Sequence, residues 1–177
     1  LKSAIMKPSD LQPEEFAGHF ATYINQVSGE YTLVEELEIS VHRLIKFVQN
    51  IPLDKFDYRY AEGKWTIKEL LVHIMDAERV FSNRAMRIAR NDKTPLPGFD
   101  QDDYAPYMDA NERSVESILE EYEAVRKSSI TLFKNFNDKM WQRDGLASGT
   151  HITTLAIAYI IAGHEAHHIG VIKERYL

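Results

Sequence analysis

Residues 153–176 constrain the fold more than any other stretch, because the first half of this segment is apolar around its whole circumference. LAIAYIIAG, residues 155–163, offers water no polar side, and a helix of that kind has to be enclosed by other elements. Nine residues are too few to cross a bilayer, so this helix is expected to be the most buried element of its fold. Directly after the apolar run comes GHEAHHIGVIKERY, in which His164, His167 and His168 fall within five residues. Imidazole is an awkward core residue, since each ring carries two nitrogens that want partners.

Enclosure has to come from other amphipathic helices, and the chain supplies them. A first helix is expected over 31–49, with Leu33, Leu37, Val41, Leu44, Ile45 and Val48 on one stripe and Pro52 beyond its end. A second covers 66–90. Thr66 and Glu69 have the spacing of a capping box, Trp65 and Leu70 that of a hydrophobic staple, and Ile67, Leu70, Leu71, Ile74, Ala77, Phe81 and Ile88 form the apolar face. A third covers 114–136, with Ile118, Tyr122, Val125, Phe133 and Phe136 inward. A shorter amphipathic helix after Pro13, carrying Phe16, Phe20, Tyr23, Ile24 and Val27, is expected to pack across the others. No strand alternation is apparent, the Tyr and Trp residues read as core, and no repeat or linker divides the chain. The expected fold is all-α, a single domain over 1–177: a four-helix bundle with an extra N-terminal helix.

Charge and composition exclude several functions. The net charge is −6 with no Lys/Arg-rich run, so nucleic acid is not an expected partner. Cysteine is absent, which removes disulfides, thiolate ligands and a cysteine nucleophile. That absence fits a reducing cytoplasm. The opening LKSAIMKPSDLQPEEF has no apolar core of a signal peptide, and no membrane partner is expected. No phosphate-binding glycine loop, nucleophile elbow or H-E-x-x-H motif is present.

The connection over 92–111, DKTPLPGFDQDDYAPYMDAN, has three prolines and five aspartates. Fully extended it reaches about 60 Å at ~3.3 Å per residue, whereas the second helix is about 38 Å long at 1.5 Å per residue. The loop can cross the whole bundle and leave the second and third helices parallel. It is either a solvated crossover or a functional loop.

His164 and His168 are one turn apart on the inward line of the fourth helix, and two such imidazoles can reach one metal ion. An H-x-x-x-H pair alone is more often two satisfied core or surface histidines. A third ligand should come from another helix, and His73, in LLVHIMDAER, is the candidate. It lies about 10 Å from the start of the second helix, while His168 and His164 lie roughly 12 and 18 Å from the end of the fourth. Antiparallel packing of these two helices brings the three rings to similar levels, and parallel packing separates them. Loop length and histidine height thus favour one topology, up-down-down-up. Three neutral imidazoles leave an open position on a divalent ion, the pattern of catalytic zinc, and equally suit nickel or iron. Glu78, inside the second helix's stripe, is either an acceptor orienting a ligand histidine or the partner of an arginine such as Arg175 or Arg79. His167 is a neighbour of the ligands, a substrate contact or a partly exposed ring; His19, His42 and His151 suggest no partner.

At these residues the chain resembles the DinB-like superfamily, of DinB/YfiT type. Three blocks carry the likeness: YRYAEGKWTIKELLVHIMDAERVFSNRAMRIAR, LPGFDQDDY and AYIIAGHEAHHIGVIKERYL. It extends from about Glu14 to Leu177. The resemblance implies an up-down-down-up four-helix bundle, often a homodimer. It also implies a divalent metal held by one histidine of the second helix and two of the fourth, matching His73, His164 and His168; zinc or nickel is expected first, iron or manganese next. Relatives of known activity include S-transferases that use low-molecular-weight thiols and thiol-dependent isomerases, and activity transfers poorly across such a fold. The expected function is metal-dependent transfer or hydrolysis on a small molecule, possible partners being a low-molecular-weight thiol and a second copy of the chain. The alternative is a non-catalytic, stress-associated bundle holding a structural ion.

Overall fold

The computed structural model describes residues 7–177. Its long helices are α2 (Leu33–Gln49), α3 (Ile67–Ala89), α5 (Val115–Lys134) and α7 (Thr154–Arg175); between and before them lie short α1 (Ala21–Ile24), α4 (Gln101–Tyr104) and α6 (Asp138–Gln142). The start of α3 is built as its sequence indicates. The Glu69 amide donates to Thr66 Oγ1 at 3.1 Å, and the Thr66 amide donates to the Glu69 carboxylate at 2.7 Å. That carboxylate also receives both ends of the Arg59 guanidinium, at 2.7 and 2.9 Å, and the Asn111 amide at 3.0 Å. Although burial opposes its charge, these donors hold Glu69 below the ordinary glutamate range.

Every residue of α7 from Thr154 to Glu165 is buried. By length and hydropathy α7 could cross a membrane, but 72% of its most apolar window is enclosed by the rest of the fold, as a core helix requires. Two apolar clusters meet along it. Leu155–Ala162 pack with Ala77, Phe81, Ala85 and Phe133, while Ile169, Ile172 and Tyr176 pack with Leu70, Ile74 and Ile118.

Side-chain bonds fix the order in which the helices meet. On α3 and α5 early residues meet early and late meet late: Thr66 with Asn111 just before α5, Arg79 with Glu121 at 2.6 Å, Ser82 with Ser129 at 2.8 Å. On α3 and α7 the order is reversed, with the Tyr176 hydroxyl donating to the Trp65 carbonyl at 2.5 Å and His73 meeting His164. Glu38 of α2 pairs with Lys134 at the end of α5.

The chain departs from expectation in two places. Asp144–Ala147 and Thr150–Thr153 form an antiparallel hairpin, β1 and β2. Its two-residue turn puts Ser148 at φ 52° and Gly149 at φ 76°, the left-handed pair that suits the twist of a tight hairpin. Four-residue strands are too short to display alternation, though Ser-Gly is a turn signal. Leu96 of the long connection bridges to Ala147, so that connection is tied to the hairpin. Secondly, the segment after Pro13 is not one helix but two 3-10 turns, Pro13–Glu15 and Gly18–Phe20, followed by the single turn α1. It lies along α7, where the Tyr23 carbonyl comes so close to Gly163 that a Cβ there would sit 1.9 Å from it.

Candidate metal centre

His73 projects from α3, one turn after Leu70, and His164 and His168 project from successive turns of α7. The Nε2 atoms of His73 and His164 are 3.0 Å apart, and those of His168 and His164 are 3.1 Å apart. One ligand atom from each of the three rings falls within 4.8 Å of the others, so the geometry brings together all three residues singled out in the sequence. His73 and His164 are buried and His168 is largely so.

Burial disfavours the charged form of each ring. It lowers His73 to about 4 and His168 to about 3, and it sets His164, which also faces the other histidines, well below the ordinary range. Neutral imidazoles have one donor nitrogen and one acceptor nitrogen. His164 Nε2 meets two other Nε2 atoms, yet with a single proton or a single lone pair it can satisfy only one of them. His168 Nδ1 is buried with no partner among the described residues. A cation placed among the three Nε2 atoms would use every converging lone pair, and the donor set is the one divalent metals of intermediate softness prefer.

Aromatic rings frame this centre. Trp65 meets His73 edge-on at 5.0 Å, and Tyr23 meets His164 at 5.1 Å and His167 at 5.3 Å. Two cavities adjoin it. One, of about 310 Å³, is lined by all three histidines together with Tyr23, Phe81, Arg84 and Ser148. The other, of about 570 Å³, reaches His168 and Trp65 and is walled by Tyr60, Asp102, Pro106 and Tyr176. Asp102 and Pro106 come from the long connection, which therefore walls a cavity beside the centre. Tyr23 and Trp65 are cavity walls rather than plain core, and Tyr107 is 84% exposed.

Glu78 is the partner of an arginine, as one of its two readings expected, but that arginine is Arg126 rather than Arg175 or Arg79, and Glu78 does not orient a ligand histidine. Both its oxygens accept from Arg126 Nε, at 2.9 and 3.0 Å, and Arg126 is wholly buried. The same guanidinium donates to Glu165 at 2.6 Å and to Ser40, while the Tyr122 hydroxyl donates to Glu165 at 2.7 Å. This network ties α2, α3, α5 and α7 together at the residue following His164. Burial opposes the charge of both groups: Glu165 is raised despite Arg126, while the two carboxylates keep Arg126 firmly protonated. Arg126 was hidden among the apolar positions of the third helix. His151, for which no partner was expected, contacts Asp144 at 3.0 Å and the Glu14 carbonyl at 2.9 Å.

The comparisons with known proteins agree with this architecture. The chain is 25% identical over 142 residues to a protein of Oceanobacillus iheyensis named "Putative metal-dependent hydrolase", covering 79% of this chain and 81% of that one. A Bacillus cereus protein of the same name is 23% identical over 151 residues, covering 83% and 86%. The solved structure of YfiT from Bacillus subtilis, described as "a probable metal-dependent hydrolase with an unusual four-helix bundle topology", superposes with a TM-score of 0.72 at 19% identity, over 80% of this chain and 82% of that one. The helical-bundle fold is thus shared. The family model for the DinB superfamily matches residues 36–172, most of the chain and all three clustered histidines, and the chain belongs to that superfamily.

Proposed function

We propose that this protein is a metal-dependent hydrolase acting on a small molecule, with a divalent cation held by His73, His164 and His168. The observation that carries this reading is the convergence of three neutral Nε2 atoms at the wall of a cavity of about 310 Å³. The names of the relatives point the same way. An up-down-down-up course of α2, α3, α5 and α7 accompanies it, supported by the matched order of contacts on α3 and α5 and the reversed order on α3 and α7.

A cation bound there would supply Lewis acidity and lower the pKa of a bound water or thiol. The chain's own groups do the rest. His73 and His164, packed against Trp65 and Tyr23, are held in fixed orientations. The Arg126 network restrains α7 beside His164. Phe20, Tyr23, Phe81 and Phe99 give the cavity apolar walls that displace water from a bound substrate.

A second reading, S-transfer from a low-molecular-weight thiol, is favoured by the second cavity. Hydrolysis needs room for one organic molecule, whereas the two cavities share His168 and Trp65 and offer room for two. With no cysteine in the chain, the thiol would be external. The test is to load purified protein with zinc, nickel, manganese or iron, supply chromogenic esters, amides and halogenated electrophiles, and measure turnover with water alone and with added cellular thiols. Turnover that requires the metal and His164 supports catalysis, and a requirement for thiol selects transfer. No metal uptake, or activity indifferent to His164→Ala, contradicts both readings.

A further inference from the structure

Arg84 stands three turns along α3 from His73, on the ridge His73, Ala77, Phe81, Arg84 that forms one wall of the smaller cavity. It is only 5% exposed. The other deeply buried arginine, Arg126, is neutralised by two glutamates. Arg84 has no carboxylate partner among the described residues. Its Nη2 donates to the Pro97 carbonyl at 2.7 Å and to Ser148 Oγ at 3.0 Å, and its guanidinium lies over the rings of Phe81 and Phe99, at 5.4 and 5.7 Å. These contacts use the two Nη2 protons and fix the group in place. An arginine has five N–H donors, so those on Nε and Nη1 are left without a protein acceptor among the described residues.

Burying a charge is costly unless it is paired. Here burial alone perturbs Arg84, lowering its pKa with no anion opposing the effect. An arginine whose task was only to tie the connection to the hairpin would need no uncompensated charge facing a cavity. We propose that Arg84 binds the carboxylate of the small molecule that occupies the cavity, placing the rest of that molecule toward the histidines. A single cation among aromatic walls suits a monoanionic carboxylate better than a phosphate dianion. The Cα atoms of His73 and Arg84 are about 16 Å apart at 1.5 Å per residue, and the guanidinium lies over Phe81, one turn nearer the histidines along α3. This assignment rests on the cavity being the substrate pocket but not on the identity of the metal.

The test compares binding of benzoate, neutral benzamide and phenyl phosphate to the purified protein by calorimetry. Benzoate should bind about tenfold or more tightly than benzamide, the usual worth of a hydrogen bond to a charged group. Arg84→Gln, which keeps donors but loses the charge, should remove the preference, benzoate falling to the level of benzamide. Arg84→Lys should retain part of it. His73→Ala should keep the preference, even if it empties the metal site. Equal binding of benzoate and benzamide by the wild type, tighter binding of phenyl phosphate than of benzoate, or a preference that survives Arg84→Gln would overturn the assignment. A preference lost in His73→Ala but not in Arg84→Gln would place the anion on the metal, refuting the role of Arg84 while leaving the metal reading intact. If Arg84→Gln does not fold, anomalous scattering from p-bromobenzoate in wild-type crystals decides. A carboxylate within hydrogen-bond reach of Nε or Nη1 supports the proposal, and any other placement defeats it.

Discussion

Replacing Arg126 with methionine tests whether the buried charge network is what holds the helices around the centre. The side chain has no exposure, and its loss deprives Glu78 of contacts at 2.9 and 3.0 Å and Glu165 of one at 2.6 Å. Removing one partner from a buried ion pair costs about 3–5 kcal/mol, because the remaining charge is left uncompensated. In a chain of 177 residues that corresponds to a fall in melting temperature of roughly 6–20 °C. The loss should depend on pH with a definite sign. Without Arg126, burial would raise the Glu165 carboxyl further above its unfolded value, so the native state would bind more protons than the unfolded chain between the two values. Stability of the variant would then fall as pH rises through that window. Urea unfolding at pH 5 and pH 7 should therefore show the larger deficit at pH 7. The triple variant Arg126→Met, Glu78→Gln, Glu165→Gln should recover a large share of the loss, since it removes the stranded charges. A deficit below about 1 kcal/mol, the scale of an exposed pair, would refute the reasoning, as would a deficit that is the same at both pH values.

Two further perturbations follow from the geometry. Burial disfavours the charged form of His73 and lowers it to about 4 from 6.5, so the ring costs the fold nothing above pH 6.5 and about 3 kcal/mol once pH has fallen to 4. Acid titration should show this loss, and His73→Phe should remove its share while those of His164 and His168 remain; an unchanged profile would count against a neutral, buried ring. Gly163→Ala would drive a Cβ into the Tyr23 carbonyl. It should cost about 1–3 kcal/mol and render the segment around α1 susceptible to limited proteolysis, and wild-type melting with undiminished protease resistance would show that the close approach does not matter.

What the sequence disclosed and what it withheld divide along physical lines. The capping box of α3, the enclosure of α7 and the meeting of His73 with His164 and His168 depend on local chemistry, helical period and rise, all readable from spacing. The partner of Glu78 was not readable in this way. Arg126 lies 48 residues away on another helix; its place one turn after Tyr122 on the apolar stripe marks it as inward, but helical spacing does not say which carboxylate it meets. Arg84 had a signal that could have been used, since it continues the ridge of His73, Ala77 and Phe81. The N-terminal segment had the apolar spacing of a helix, but Phe16 and Ala17 take extended backbone and interrupt it, which apolar spacing alone does not show. The hairpin was concealed by the brevity of its strands, although Ser148 and Gly149 marked the turn.

The most direct test of the central claim is the metal content of the protein. After repletion with zinc or nickel and removal of loosely bound ions, elemental analysis of the wild type should find about one divalent ion per chain, with nitrogen-rich coordination at ~2.1 Å by X-ray absorption. His73→Ala, His164→Ala and His168→Ala, each shown to be folded, should each lose it. A wild-type chain that takes up no ion, or an ion retained by the folded His164→Ala variant, would contradict the account.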